Sequence, residues 1–215
     1  FQNYTSYWYG INGVFVDIEN LADANALTVD DFRFRNGSDN NPAAWPLAPP
    51  PTLLVREGAG TNGSDRVVLT WPENTIENSW LEVAVKPTAA TGLVSEDVHY
   101  WGNAIGETGT ESDTLVNGID LAGVNGNPHS ESDLAGIDDA FDFNRDRLVD
   151  ASDAAIVQTH ETDETTALPL ITPPLKVSVY AIDDDTDPPG DFTTEDQSLY
   201  VRGSFTEGAS LSVSL

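Results

Sequence analysis

The chain has 215 residues, with 36 Asp and Glu against 9 Lys and Arg, a formal net charge of -27. A surface this acidic repels phosphate, which disfavours nucleic-acid binding and adhesion to anionic membranes, and it suits divalent cations and a salty medium. Cysteine is absent, so disulfides, thiolate metal sites and a Cys nucleophile are ruled out. A hydrophobic content of 39% is too high for a disordered chain. No 18-residue apolar run is present, so no membrane insertion is expected. The sequence has no Met and begins at Phe1, which reads as a processed mature protein or a piece of a longer one.

Residues 1–94 read as β. Tyr4-Thr5-Ser6-Tyr7-Trp8-Tyr9 is an aromatic cluster with the character of an edge strand, and Tyr7, Trp8 and Tyr9 are candidates for an interface. Gly13-Val14-Phe15-Val16-Asp17-Ile18 is β-branched and aromatic between turn residues. Asp31-Phe32-Arg33-Phe34-Arg35 alternates, with both Phe on one face and both Arg on the other. The prolines of 46–51 remove ladder donors, which predicts an extended edge or linker there. Further strands are expected at Leu53-Leu54-Val55, at Arg66-Val67-Val68-Leu69-Thr70-Trp71 and at Trp80-Leu81-Glu82-Val83-Ala84-Val85. Short strands separated by turns predict a mainly β fold, a β-sandwich.

Residues 95–168 change character, crowding Asp, Asn and Gly around short Ala- and Leu-containing pieces that suit single helices. β character returns in residues 169–215, at Leu175-Lys176-Val177-Ser178-Val179-Tyr180, at Ser198-Leu199-Tyr200-Val201-Arg202 and in the alternating end Ser210-Leu211-Ser212-Val213-Ser214-Leu215. These strands either complete the sandwich, pair with a neighbouring molecule or form a separate domain.

The middle region carries an internal repeat. Asp113-Thr114-Leu115-Val116-Asn117-Gly118-Ile119-Asp120 matches Asp146-Arg147-Leu148-Val149-Asp150-Ala151-Ser152-Asp153 in the pattern D-x-L-V-[N/D]-x-x-D. The second copy extends back to Asp142 and then has the spacing of a twelve-residue calcium loop. Calcium takes six to eight hard oxygens, and alternate residues of a curled loop supply them. The ligands expected are Asp142, Asn144, Asp146, the Leu148 carbonyl, Asp150 and Asp153, and the apolar Val149 is expected to pair with the other loop by a short β contact. Position 6, ordinarily Gly for a sharp turn, is Arg147. In the first copy Asp113, the Leu115 carbonyl, Asn117 and Asp120 correspond. Its first ligand falls on Gly109 by simple counting, with Glu111 third, and an insertion would bring Asn103 or Glu107 into the first place.

Paired calcium loops ending in Asp and leading into short helices resemble the type I dockerin domain. Together with Tyr100-Trp101-Gly102-Asn103-Ala104-Ile105-Gly106-Glu107-Thr108-Gly109 and Asp142-Phe143-Asn144-Arg145-Asp146-Arg147, they resemble a dockerin-like variant of large secreted proteins of marine bacteria, in which Arg at position 6 is tolerated. The resemblance covers about residues 98–168. It implies a dockerin-like α insertion, calcium as cofactor, a non-catalytic role and secretion. In dockerins a cohesin partner reads small hydroxyl residues at loop positions 10 and 11. Here those are Gly118-Ile119 and Ala151-Ser152, of which Ser152 alone carries a hydroxyl.

A further acidic run includes Asp183, Asp185 and Asp187, which are candidate calcium ligands between modules. No hydrolase elbow, phosphate loop or dinucleotide fingerprint occurs, and the three His lack zinc spacing, so an enzyme is not expected. The leading expectation is a secreted, calcium-stabilised structural or adhesion protein of a cell-surface or extracellular assembly, with other protein subunits as partners. The alternatives are a docking module for a cohesin-like receptor and a carbohydrate-binding module that stacks Trp8, Trp45 or Trp80 on a glycan.

Overall fold

A computed structural model describes residues 3–109 and 113–172, together with the strands Val177–Asp183 and Tyr200–Phe205. The chain divides into two units, 1–172 and 173–215. The first is mainly β, with two sheets and two short helices among the described residues.

One sheet has the order β1-β7-β6-β3, from Tyr4–Thr5, Asp97–Asn103, Trp80–Val85 and Phe32–Gly37. The other has the order β2-β5-β4, from Gly13–Ile18, Asp65–Thr70 and Thr52–Arg56. All pairings are antiparallel except β1 with β7, which is parallel and two residues long. The proline segment lies beside β3: Asn36 donates to the Pro46 carbonyl and Ala48 to the Phe34 carbonyl. Strand β7 falls inside the span read as loop-rich, and it is a full partner of β6 from Trp80↔Gly102 to Val85↔Asp97.

Alternation of apolar side chains sets which faces are buried. Val14 and Ile18 of β2, Val67 and Leu69 of β5, Phe32 and Phe34 of β3 and Leu81, Val83 and Val85 of β6 join in one core. The Phe32 and Phe34 rings stack at 5.9 Å, and Trp71 meets Phe34 edge-on at 5.6 Å. Strand β6 is buried on both faces, because its other side is covered by Trp45, Tyr100, Leu168 and Ile171 around the fully buried Trp80. A carboxylate on such a strand needs a counter-charge. Glu82 is 3% exposed and accepts from Arg33 Nε at 3.0 Å and from the Tyr100 hydroxyl at 3.4 Å. That hydroxyl is pushed up to about 12 by burial and by the Glu82 charge.

After β7 the chain forms two loop–helix units. Helix α1 spans Gly118–Gly126 and α2 spans Ala151–Thr159. They share a small core of Ile105, Val116, Val124, Ala135, Phe143, Val149, Ile156 and Val157, against which Trp8 also packs.

In the second unit Val177–Asp183 (β8) and Tyr200–Phe205 (β9) pair antiparallel with one another, with a register shift between Val179 and Ala181. Both expected strands are present there. The alternating run 210–215 lies outside the described residues.

Candidate metal centre

The repeated eight-residue pattern has a local structural logic that is the same in both copies. Its first Asp makes an Asx turn: Asp113 Oδ1 accepts from Leu115 N at 2.8 Å, and Asp146 Oδ1 accepts from Leu148 N at 2.8 Å. Val116 and Val149 are each 2% exposed and enter the shared core. Asn117 and Asp150 are N-caps, accepting from Ile119 N and Ser152 N. The final Asp closes a capping box: Asp120 Oδ2 accepts from Asn117 N at 2.8 Å, and Asp153 Oδ2 accepts from Asp150 N at 3.1 Å.

The second oxygen of that final carboxylate aligns the two loops. Asp120 Oδ1 accepts from Thr108 N at 2.9 Å, and Asp153 Oδ1 accepts from Phe143 N at 2.8 Å. Thr108 therefore corresponds to Phe143, and Glu107 to Asp142. The first loop carries an insertion between its first ligand position and Asp113, and Glu107 rather than Gly109 heads it. Asn103, the other candidate, is not in the loop. It is fully buried, accepts from Asn78 N at 2.8 Å and donates to the carbonyls of Thr5 and Tyr7, tying β1 to β7.

The two leading carboxylates differ in one respect. Glu107 is 2% exposed and both of its oxygens are engaged, Oε1 by Gly109 N at 2.8 Å and Oε2 by the Tyr4 hydroxyl at 2.9 Å. Asp142 is 1% exposed, and its Oδ2 accepts from Arg147 N at 2.9 Å. Its Oδ1 is buried and has no hydrogen-bond partner. An orphaned carboxylate oxygen in the interior is costly and calls for a cation or a donor.

Electrostatics point the same way. Burial, and then the neighbouring Asp142 charge, push the Asp153 carboxyl above its ordinary range against the pull of its backbone hydrogen bonds. Burial likewise raises Glu107, with Asp120 and Asp113 adding to it. The Tyr4 hydroxyl is raised by burial and by its bond to Glu107. Asp150 is lowered by the Ser152 hydroxyl and amide it accepts from.

Position 6 adopts the turn that glycine would otherwise supply. Arg147 has φ 72° and Arg145 has φ 60°, both in the left-handed region. Both arginine side chains reach carbonyls, Arg147 Nε that of Ala135 at 3.3 Å and Arg145 Nη1 that of Asp139. Asn144 and Asp146 hold each other, Asn144 Nδ2 donating to Asp146 Oδ2 and Asp146 N to Asn144 Oδ1, each at 2.9 Å.

The expected β contact between the loops is not formed. Val149 bridges antiparallel with His129, and Val116 exchanges hydrogen bonds with Thr162. Each position-8 amide finds its partner in the segment following a helix and not in the opposite loop. Among the described residues, no three His, Asp or Glu side chains stand close enough to hold an ion by themselves. Glu111, Asp185 and Asp187 lie outside the described residues, as does the side chain of Asp183, which ends β8.

The aromatic candidates are also placed. Tyr7, Trp8 and Tyr9 are half-buried, with Tyr7 and Tyr9 edge-to-face at 5.6 Å. Trp8 N donates to the Phe143 carbonyl at 3.1 Å, so this segment rests on the second loop. Trp45 and Trp80 are 5% and 0% exposed, donating to Asp39 and to the Pro169 carbonyl. Rings buried in this way cannot stack on a glycan. Comparison with protein-family models, with curated proteins and with solved structures finds no match for this chain.

Proposed function

We propose that this is a secreted, non-catalytic protein stabilised by calcium, with its two sheets stacked as a β-sandwich that carries a dockerin-like pair of loop–helix units, and that it serves as a structural or adhesive subunit of an extracellular assembly. The single observation that carries the calcium reading is the buried, partnerless Oδ1 of Asp142 at the head of a twelve-residue loop whose position 6 already has the required turn. The residues that would hold the ion are Asp142, Asn144, Asp146, the Leu148 carbonyl, Asp150 and Asp153. When bound, calcium supplies positive charge that neutralises clustered carboxylates, so that metal binding and loop order arrive together. The first loop, with Glu107, Asp113, the Leu115 carbonyl, Asn117 and Asp120, is the weaker candidate, because Tyr4 and Gly109 already engage both Glu107 oxygens.

The sandwich reading is supported by one continuous core drawn from both sheets. Extracellular sites bind calcium at ~10⁻⁴–10⁻³ M, and millimolar calcium outside cells keeps such sites filled. The test is thermal melting in calcium and in EDTA. Calcium at 100 times its dissociation constant should add about 2.7 kcal/mol for one site. Identical melting in the two buffers would remove the calcium reading.

A further inference from the structure

Two cavities lie end to end along one flank of the first unit. One, of about 300 Å³, runs from Tyr4, Thr5 and Tyr7 past Ile11 and Val14 to Trp101. The other, of about 360 Å³, runs from Val16 and Ile18 past Val85 and Leu93 to His99 and Trp101. Trp101 lines both, so together they form one trench between β2 and β7.

Both walls of the trench are strand edges. Strand β2 ends the order of its sheet. Among the described residues, strand β7 has a strand neighbour on its outer side only at Gly102 and Asn103, in β1. On that edge Gly102 N donates to the Asn3 carbonyl, and the Tyr100 carbonyl accepts from the Asn3 side chain. Alternation along the strand turns the polar backbone groups of Val98 toward the same side. Residues 97–101 thus lack a strand neighbour there among the described residues. Trp101 lines both cavities, and its Nε1 is buried with no hydrogen-bond partner.

We infer that this trench receives a strand donated by a second copy of the chain, namely residues 210–215. Complementarity singles out that occupant. A strand edge whose outward groups at Val98 have no strand partner, next to a slot lined in part by Ile11, Val14, Val16, Ile18 and Leu93, takes a short extended segment, with backbone hydrogen bonds for affinity and alternate side chains for the slot. Ser210-Leu211-Ser212-Val213-Ser214-Leu215 offers an apolar residue at every second position and no charged side chain. That neutrality matters, because Asp17, Glu19 and Asp97 line the trench and would repel most of a chain that carries 36 acidic residues. Donation from one copy to the next is a head-to-tail contact, which closes into a ring or propagates as a fibre. The inference rests on the assembly reading above and names its contact surface.

Sedimentation of the full chain in millimolar calcium tests it. Species above monomer should grow with concentration, and the variant Leu211→Asp with Val213→Asp should lose all of them while keeping the melting shift between calcium and EDTA. A synthetic peptide of residues 208–215 added to that variant should bind one to one and move the Trp101 indole and Val98 and Tyr100 amide resonances. A wild-type chain that is monomeric throughout, a variant that associates as wild type does, or a peptide that moves none of those resonances would each overturn the inference. Association that persists in a chain showing no calcium-dependent melting would uphold it and count against the calcium reading alone.

Discussion

The sheet region and the loop region bury carboxylates in opposite ways. In the sheets the counter-charge is built in. Arg33 holds the buried Glu82 at 3.0 Å, and nearer the surface it holds Glu96 at 2.6 Å while Arg66 holds the exposed Asp17 at 2.7 Å. In the loops Glu107, Asp120, Asp142 and Asp153 are each nearly buried, and the arginines nearby, Arg145 and Arg147, direct the bonds described above to carbonyls. Backbone amides partly satisfy these carboxylates without neutralising them. Burial of a charge is tolerated only when it is paired or coordinates a metal. The first region carries its cations in its own sequence; under the proposed calcium reading the second takes one from the medium.

That contrast predicts a separation of effects. The largest belongs to the sheets. Trp80→Ala empties the fully buried centre of the outer-face core and should cost about 3–5 kcal/mol. The loss, read by denaturant melts, should be equal in calcium and in EDTA. A loss that depended on calcium would blur the division between the regions.

Next in size is the loop variant Asp142→Ala with Asp146→Ala. It should abolish most of the increment of about 2.7 kcal/mol that calcium at 100 times its dissociation constant adds. It should change the melting in EDTA far less, since the same substitution relieves carboxylate repulsion. A variant that kept the full calcium shift would move the site elsewhere.

The smallest effect is a difference in pH response. Asp17 is held well below the ordinary carboxylate range by the Arg66 guanidinium, with the Thr61 amide adding to it. Its contribution is complete above the unfolded value and is lost as pH falls below about 4. Asp153 and Glu107 are shifted upward by burial. In the calcium-free protein they bind protons more tightly folded than unfolded, so stability falls as pH rises from the ordinary carboxylate range through their raised values. Asp17→Asn should therefore flatten the acid limb of the stability profile in EDTA. It should leave unchanged the rise expected as pH falls through the raised Asp153 and Glu107 values toward the ordinary carboxylate range.

Much of this was legible in the residues, for reasons that can be stated. Strand β3 announced itself because Phe and Arg alternate, and the structure puts both Phe in the core. Strands β2, β5 and β6 followed from β-branched runs between turns. The backbone form of the second loop was legible because its Asx turn, its apolar eighth position and its capping residues are all local. What stayed hidden is nonlocal. The parallel pairing of Tyr4 and Thr5 with Gly102 and Asn103 joins residues about a hundred positions apart, and no periodicity encodes it. Asn103 read as a ligand because its type suits calcium, yet it is a buried tether whose partners come from β1 and the turn at Asn78. Glu107 could be promoted over Gly109 only through the hydrogen bond of Thr108 to Asp120, which spacing across an insertion does not reveal. Trp45 and Trp80 carried no mark of exposure or burial in sequence, since their cover arrives from residues 168–172.

The most direct measurement is a crystal grown in millimolar calcium and examined for anomalous scattering at the second loop. A peak is expected about 2.3–2.6 Å from Asp142 Oδ1, ringed by Asn144, Asp146, the Leu148 carbonyl, Asp150 and Asp153. A loop with no such peak at that calcium concentration, its Asp142 oxygen turned instead to a protein donor, would contradict the calcium reading.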